Sequence, residues 1–130
     1  MNQGNRKQWH EIMKEFQLEQ LMRILDKFYF LIHENYSIKD ITIGLRAYPY
    51  VSFKNHQLNM TVEISGADLG CEGQQYRVCI TKRKFFSFKV LSVTTLMEKS
   101  GQANDIISIS EYANYIQQHL MPVIRGERWI

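Results

Sequence analysis

From about Lys7 to His33 the apolar residues recur at helical spacing: Trp9, Met13 and Phe16, then Leu21, Ile24, Leu25, Phe28, Leu31 and Ile32. Neither Pro nor Gly interrupts the run, so the spacing predicts one long helix or two in succession. The stripe changes phase between Gln17 and Gln20, where a bend or a break is expected, and Asn35 is a suitable stop. Beyond it the period becomes two. Ile41, Ile43 and Leu45 alternate with Thr42, Gly44 and Arg46, and after a turn at Tyr48-Pro49 the residues Val51 and Phe53 continue an extended reading. The clearest strand is Leu58 to Ser65, with Leu58, Met60, Val62 and Ile64 opposed by Asn59, Thr61, Glu63 and Ser65. A second runs from Gln75 to Lys82, where Tyr76, Val78 and Ile80 oppose Arg77, Cys79 and Thr81, and Phe86, Phe88 and Val90 supply another. Alternation of this kind gives each strand one buried and one solvated face, which antiparallel sheets permit.

Tight links at Asn55 to Gln57 and at Arg83-Lys84 favour a meander, while GADLGCEG (66–73) reads as a longer, turn-rich loop. Ser92 to Lys99 then suits a short helix ended by Gly101. Ser108-Ile109-Ser110-Glu111 fits a capping box, in which the serine and the glutamate each satisfy a free backbone donor. The stripe Tyr112, Tyr115, Ile116, Leu120, Val123, Ile124 follows, kinked by Pro122 and ended by Gly126. The single apolar face of the strands needs a cover, and the amphipathic helices at either end of the chain can provide it. The expected architecture is one α+β domain over residues 1–130: an antiparallel sheet of four to five strands with N- and C-terminal helices packed on one face.

Composition narrows the function more by exclusion than by assertion. Apolar residues at 45% and charged residues at 22% are ordinary globular usage. A formal charge of +3 falls short of a strongly basic nucleic-acid domain, and it has the wrong sign for an acidic DNA mimic. The N-terminal MNQGNRKQWHEIMKEF has no apolar run behind its basic residues, and FYFLI (28–32) is far shorter than the roughly 20 residues that cross a bilayer. A cytoplasmic location is therefore expected, without a membrane partner and with Cys71 and Cys79 reduced.

No catalytic or cofactor signature stands out. His10, His33, His56 and His119 form no zinc-ligand spacing with each other or with the two cysteines, and read as surface residues. GADLGCEG lacks the Lys-Ser/Thr ending of a phosphate loop, and Asp68 and Glu72 are too few carboxylates for a calcium loop. There is no Gly-x-Ser-x-Gly elbow. Neither an enzymatic activity nor a cofactor or metal is expected.

The most unusual charge feature is KRKFFSFK (82–89), where Lys82, Arg83, Lys84 and Lys89 flank Phe85, Phe86 and Phe88. Cations interleaved with aromatics suit single-stranded nucleic acid, with bases stacking on rings. The alternative is a basic hairpin tip that resists edge aggregation while alternate phenylalanines fill the core. Tyr48-Pro49-Tyr50 places two more aromatics beside a turn, and the terminal Trp129-Ile130 reads as a tail docked on the core.

The helix exit LDKFYFLIHENYSI, the strand VSFKN, the two alternating strands and the ending LMPVIRGERWI together resemble, over residues 20 to 130, small bacterial α+β immunity proteins of polymorphic-toxin and contact-dependent inhibition systems. The resemblance implies a non-catalytic protein that binds one toxin domain tightly and blocks it. The mild positive charge departs from the acidic character common among inhibitors of nuclease toxins, which speaks against a nuclease as the partner.

The sequence thus points to a protein-binding module, with RNA or single-strand binding by residues 82–89 as the alternative and a homodimer as a further possibility. An open sheet face would carry Thr61, Glu63, Arg77, Cys79 and Thr81. The candidate partner-binding residues are Tyr48, Tyr50, Thr61, Glu63, Arg77, Lys82, Arg83 and Lys84.

Overall fold

The computed structural model describes residues 3–42, 49–68, 74–101 and 107–130. Helices α1 (Gln3–Lys27) and α2 (Phe30–His33) precede strands β1 (Ser37–Thr42), β2 (Tyr50–Asn55), β3 (Met60–Asp68), β4 (Gln74–Lys84) and β5 (Ser87–Ser92). Helices α3 (Val93–Lys99) and α4 (Ile109–Tyr115), a π-helical turn (Ile116–Leu120) and α5 (Met121–Ile124) complete the chain. The strands form one five-stranded antiparallel meander in the order β1-β2-β3-β4-β5. The helices pack on one face of it, as the alternation along the strands requires.

The first helix differs in detail from its sequence pattern. It runs unbroken through Gln17–Gln20, both good helix formers, and Gln17 and Gln20 are themselves buried (6% exposed each) while Phe16 and Met22 face outward. The buried stripe is Gln17, Gln20, Leu21, Ile24, Phe28; the side chains of Trp9, His10 and Met13 lie outside the described ones. The break falls instead at Phe28–Tyr29, where the hydrogen bonds tighten to three-residue spacing: Leu31 N–H donates to the Phe28 carbonyl (3.0 Å) and Ile32 N–H to that of Tyr29 (2.9 Å). This turn lets Phe28 and Leu31 both reach the core. Asn35, at φ +68, ends the element as expected of Asn in the left-handed region.

The core takes one parity of every central strand: Val51 and Phe53, Met60, Val62 and Ile64, Tyr76, Val78 and Ile80. Fully burying each of these large side chains contributes about 1.5–3 kcal/mol. Against them pack Val93 and Met97 of α3, Ile109 and Tyr112 of α4, and Ile116, Leu120, Val123 and Ile124. The link between β2 and β3 is the turn His56–Asn59, opened by Asn55, whose side-chain oxygen accepts from Leu58 N–H (3.1 Å). Ile43 and Leu45 fall outside the described residues.

The late helices follow their sequence signals closely. Ser92 caps α3, accepting from Thr95 N–H (3.2 Å). Ser108 and Glu111 form the capping box of α4, Glu111 N–H donating to Ser108 Oγ (3.2 Å) and Ser108 N–H to the Glu111 carboxylate (3.3 Å). Pro122 does not merely kink the helix. The π-helical turn immediately before it re-spaces the backbone, so that the helix restarts with Pro122 in its first turn, where a missing N–H is tolerated. Trp129 packs against the core.

The β4–β5 hairpin departs from the expected register. Its turn is Phe85–Phe86, not Arg83-Lys84, because Lys84 pairs with Ser87. Phe88 and Val90 therefore oppose Arg83 and Thr81, on the face away from the helices, and none of the three phenylalanines fills the core.

Candidate functional site

The second face of the sheet carries the opposite parity, and register places its residues in rungs. One reads Thr42, Tyr50, Ser65, Arg77 from β1 to β4. The next reads Asp40, Ser52, Glu63, Cys79, Ser92, and the third reads Lys54, Thr61, Thr81, Val90 across β2 to β5. Tyr50, Lys54, Thr61, Glu63, Cys79 and Thr81 are each half-buried by their strand neighbours, while Arg77, Phe88 and Val90 are exposed. Glu63, Thr61, Arg77, Cys79 and Thr81 thus share the face on which the alternation places them.

Toward the β4–β5 end this face sinks into a shallow depression of about 370 Å³. Lys39, Lys54 and Arg83 supply cations around it, Glu63 the one carboxylate, Asn59, Thr61 and Thr81 hydrogen-bonding groups, and Phe88 and Val90 an apolar wall. Lys54 and Val90 are not among the residues the sequence nominates for binding, and Phe88 is nominated only as a base-stacking ring of residues 82–89. Lys54 stands between two buried residues of β2, so period two alone puts it on this face, and the same period carries Phe88 and Val90 there although their apolar side chains suit a core. Lys39 reaches the face through an irregularity in β1, where the pairing shifts between Ile38 and Asp40, and periodicity gives no warning of that.

The electrostatics of the face centre on Glu63. Burial pushes the Cys79 thiol pKa up, Glu63 directly across the rung pushes it further, and Arg77 partly offsets both. Burial and then Glu63 likewise raise the Tyr50 hydroxyl, against a lowering hydrogen bond from Ser52. Cys79 is a free thiol. It stands protonated at neutral pH, a weak nucleophile. Cys71, Glu72 and Tyr48 lie outside the described residues.

The basic cluster is divided by the pleat. Arg83 belongs to the open face, whereas Lys82 shares the parity of Met60 and Ile80, and Lys84 stands beside the turn on that same side. Of the candidate partner-binding residues, Tyr50, Thr61, Glu63, Arg77 and Arg83 are brought together, and Lys82 and Lys84 are not.

A second depression, of about 590 Å³, lies between Arg23, Asp26 and Lys27 of α1 and the start of α4 at Ile107–Ser110. His33 and His119 are exposed and stand against Tyr29 and Tyr115, ring centroids 5.4 and 4.8 Å apart, and His56 is exposed in its turn. Among the described residues no three or more His, Cys, Asp or Glu side chains converge as metal ligands would. No helix among them is long and apolar enough to cross a membrane. No protein-family model, no curated protein and no solved structure matches this chain.

Proposed function

We propose that this chain is a non-catalytic protein-binding module, an immunity-type protein that neutralises a cognate toxin domain by laying the open face of its sheet against it. The observation that carries this reading is the one-sided core: helices cover one face of the central strands β2, β3 and β4, and the other presents aligned rungs of tyrosine, hydroxyl, carboxylate, cation and apolar side chains. Protein interfaces combine a partly apolar centre with polar and cationic groups in this way. A standard interface needs about 800 Å² per partner, an area that a five-stranded sheet face can offer. Rungs held by backbone hydrogen bonds also keep their side chains in place before binding, which lowers the ordering cost of association.

The test is capture from the native cell lysate by tagged wild-type protein and by the variant Glu63→Lys/Arg77→Glu, washed at about 1 M salt, where exposed charges are screened beyond about 3 Å. The reading expects one stoichiometric protein partner on the wild type and its loss from the variant. That partner, produced alone, should arrest growth, and co-production of the wild type should relieve the arrest. Equal recovery by both baits would sink the open face as the binding surface, and a partner harmless to the cell would sink the immunity reading.

A further inference from the structure

The tip of the β4–β5 hairpin carries features that the open face does not use. Lys84–Ser87 is the last paired rung, so Phe85–Phe86 forms a two-residue turn, and both rings are wholly solvent-exposed, at 101% and 105%. Such turns ordinarily take Gly, Asn or Asp, because they need a positive φ. Phe85 instead holds φ +31, a setting unfavourable to a bulky L side chain. Folding gains nothing from this choice: the rings touch no core and the backbone is strained.

The surrounding charge is equally one-sided. Residues 82–89 hold Lys82, Arg83, Lys84 and Lys89 and no acid. Lys82 and Lys89 oppose each other on one rung, a like-charge pair that an external anion would relieve. Among the described residues the one ion pair is Arg125–Glu34, so none of these four cations is paired with a described carboxylate.

Register decides which polyanion fits. A single nucleic-acid strand lies along one face and needs rings and cations together on it. Here Arg83 lies on the open side of the ribbon with Phe88, and Lys82, Lys84 and Lys89 lie on the opposite side, around an apolar point. A ring of cations about a protruding apolar tip matches a plane of anionic headgroups over an acyl boundary. We propose that the hairpin docks this protein end-on to an anionic lipid bilayer, with Phe85 and Phe86 entering the interface and Lys82, Arg83, Lys84 and Lys89 on the headgroups. The sequence argued against a membrane partner from its lack of a spanning segment, but peripheral docking requires none. Arg83 alone is shared with the open face, and the substitutions that test the hairpin leave it in place, so the lipid docking stands or falls separately from the toxin-binding reading.

The experiment is flotation of the full chain with phosphatidylcholine vesicles, with and without phosphatidylserine. Phosphatidylserine-dependent binding that weakens with salt is expected. The double substitution Phe85→Gly/Phe86→Ser should lower it at least about tenfold, and Lys84→Gln or Lys89→Gln about fivefold each. Circular dichroism of the double variant should match the wild type, since Gly then Ser suits a turn whose first residue has positive φ. Phe86→Ser alone, at a ring that touches nothing, repeats the test should the double variant misfold. Failure to float with phosphatidylserine vesicles, or unchanged flotation of these variants, would overturn the proposal. A labelled oligouridylate bound by the wild type, but not by the Phe85/Phe86 variant, in the absence of vesicle binding would overturn it in favour of single-stranded nucleic acid.

Discussion

The Tyr36 hydroxyl donates a 2.8 Å hydrogen bond to the backbone carbonyl of Ile124, 88 residues away, and so ties the entry to β1 to the last helix. Both residues are buried, and burial, then Glu34, pushes the Tyr36 pKa well above its ordinary value. Tyr36→Phe leaves the Ile124 carbonyl unpaired and should cost about 1–2 kcal/mol at neutral pH. The sign of the pH dependence follows from the raised pKa. The unfolded chain releases this proton near pH 10 and the folded protein only above that, so the contribution is complete below about pH 10 and fades as pH rises further. Urea unfolding of both proteins from pH 7 upward checks this. The gap between wild type and variant should narrow above about pH 10, and a constant gap would refute the linkage.

The end of β5 creates a second accounting problem, which a relay of hydroxyls solves. β5 reaches only to Ser92, opposite Cys79, so beyond that rung β4 has no strand on that side. There Val78 N–H donates to Thr94 Oγ1 (3.4 Å), the Thr94 and Tyr112 hydroxyls lie 2.8 Å apart, and Tyr112 donates to the Tyr76 carbonyl (2.7 Å). Tyr112 donates onward, so Thr94 must be its donor. Thr94→Val and Tyr112→Phe should each cost about 1–2 kcal/mol, and the double variant less than their sum by about 0.5 kcal/mol or more. Additive losses in a double-mutant cycle would show that the two hydroxyls act independently.

Two glycines allow steric crowding to be separated from backbone conformation. Gly101 and Gly126 hold nearly the same φ, +71° and +72°, but a Cβ at Gly101 would meet nothing within 4 Å, whereas one at Gly126 would stand 2.7 Å from Leu58 Cδ2. Both alanine substitutions meet the left-handed penalty of about 1–2 kcal/mol. Gly126→Ala must also displace Leu58, and should lower the melting temperature further by several degrees, on the order of 1 kcal/mol. Equal shifts for the two variants would show that Leu58 yields without cost.

Much of this fold was legible because its signals are local and redundant. The period-two alternation of Met60 to Ile64 and Tyr76 to Ile80 fixed which parity is buried, and the Ser108–Glu111 pattern placed a helix start to the residue. What was hidden depended on partners distant in sequence. Gln17 and Gln20 are buried on the same stripe of α1 as Leu21 and Ile24, and no propensity states this. The turn at Phe85–Phe86 violates turn chemistry, so turn residues alone point to Arg83-Lys84, two positions early; that shift keeps parity, and Phe88 misses the core because strand period outweighs its apolar character. The open face itself was readable as a parity, but its depression required the irregularity in β1 that brings Lys39 onto it.

Cys79 offers a direct probe of that face. With Cys71→Ser as background it is the sole thiol, half-buried opposite Glu63 and flanked by Arg77 on the same strand. Burial and Glu63 hold its pKa up, so alkylation near pH 8 should be slower than for a free cysteine. Removing the carboxylate in Glu63→Gln lowers the pKa and should speed alkylation about two- to fivefold, while Arg77→Gln should slow it. Opposite responses to the two substitutions identify the charges as the cause, because a change in access alone would move both rates together. Once a partner occupies the open face the same thiol should become protected, with the rate falling at least about tenfold at saturation, since reaction then waits on dissociation. Undiminished labelling in a saturated complex would place the partner elsewhere on the protein.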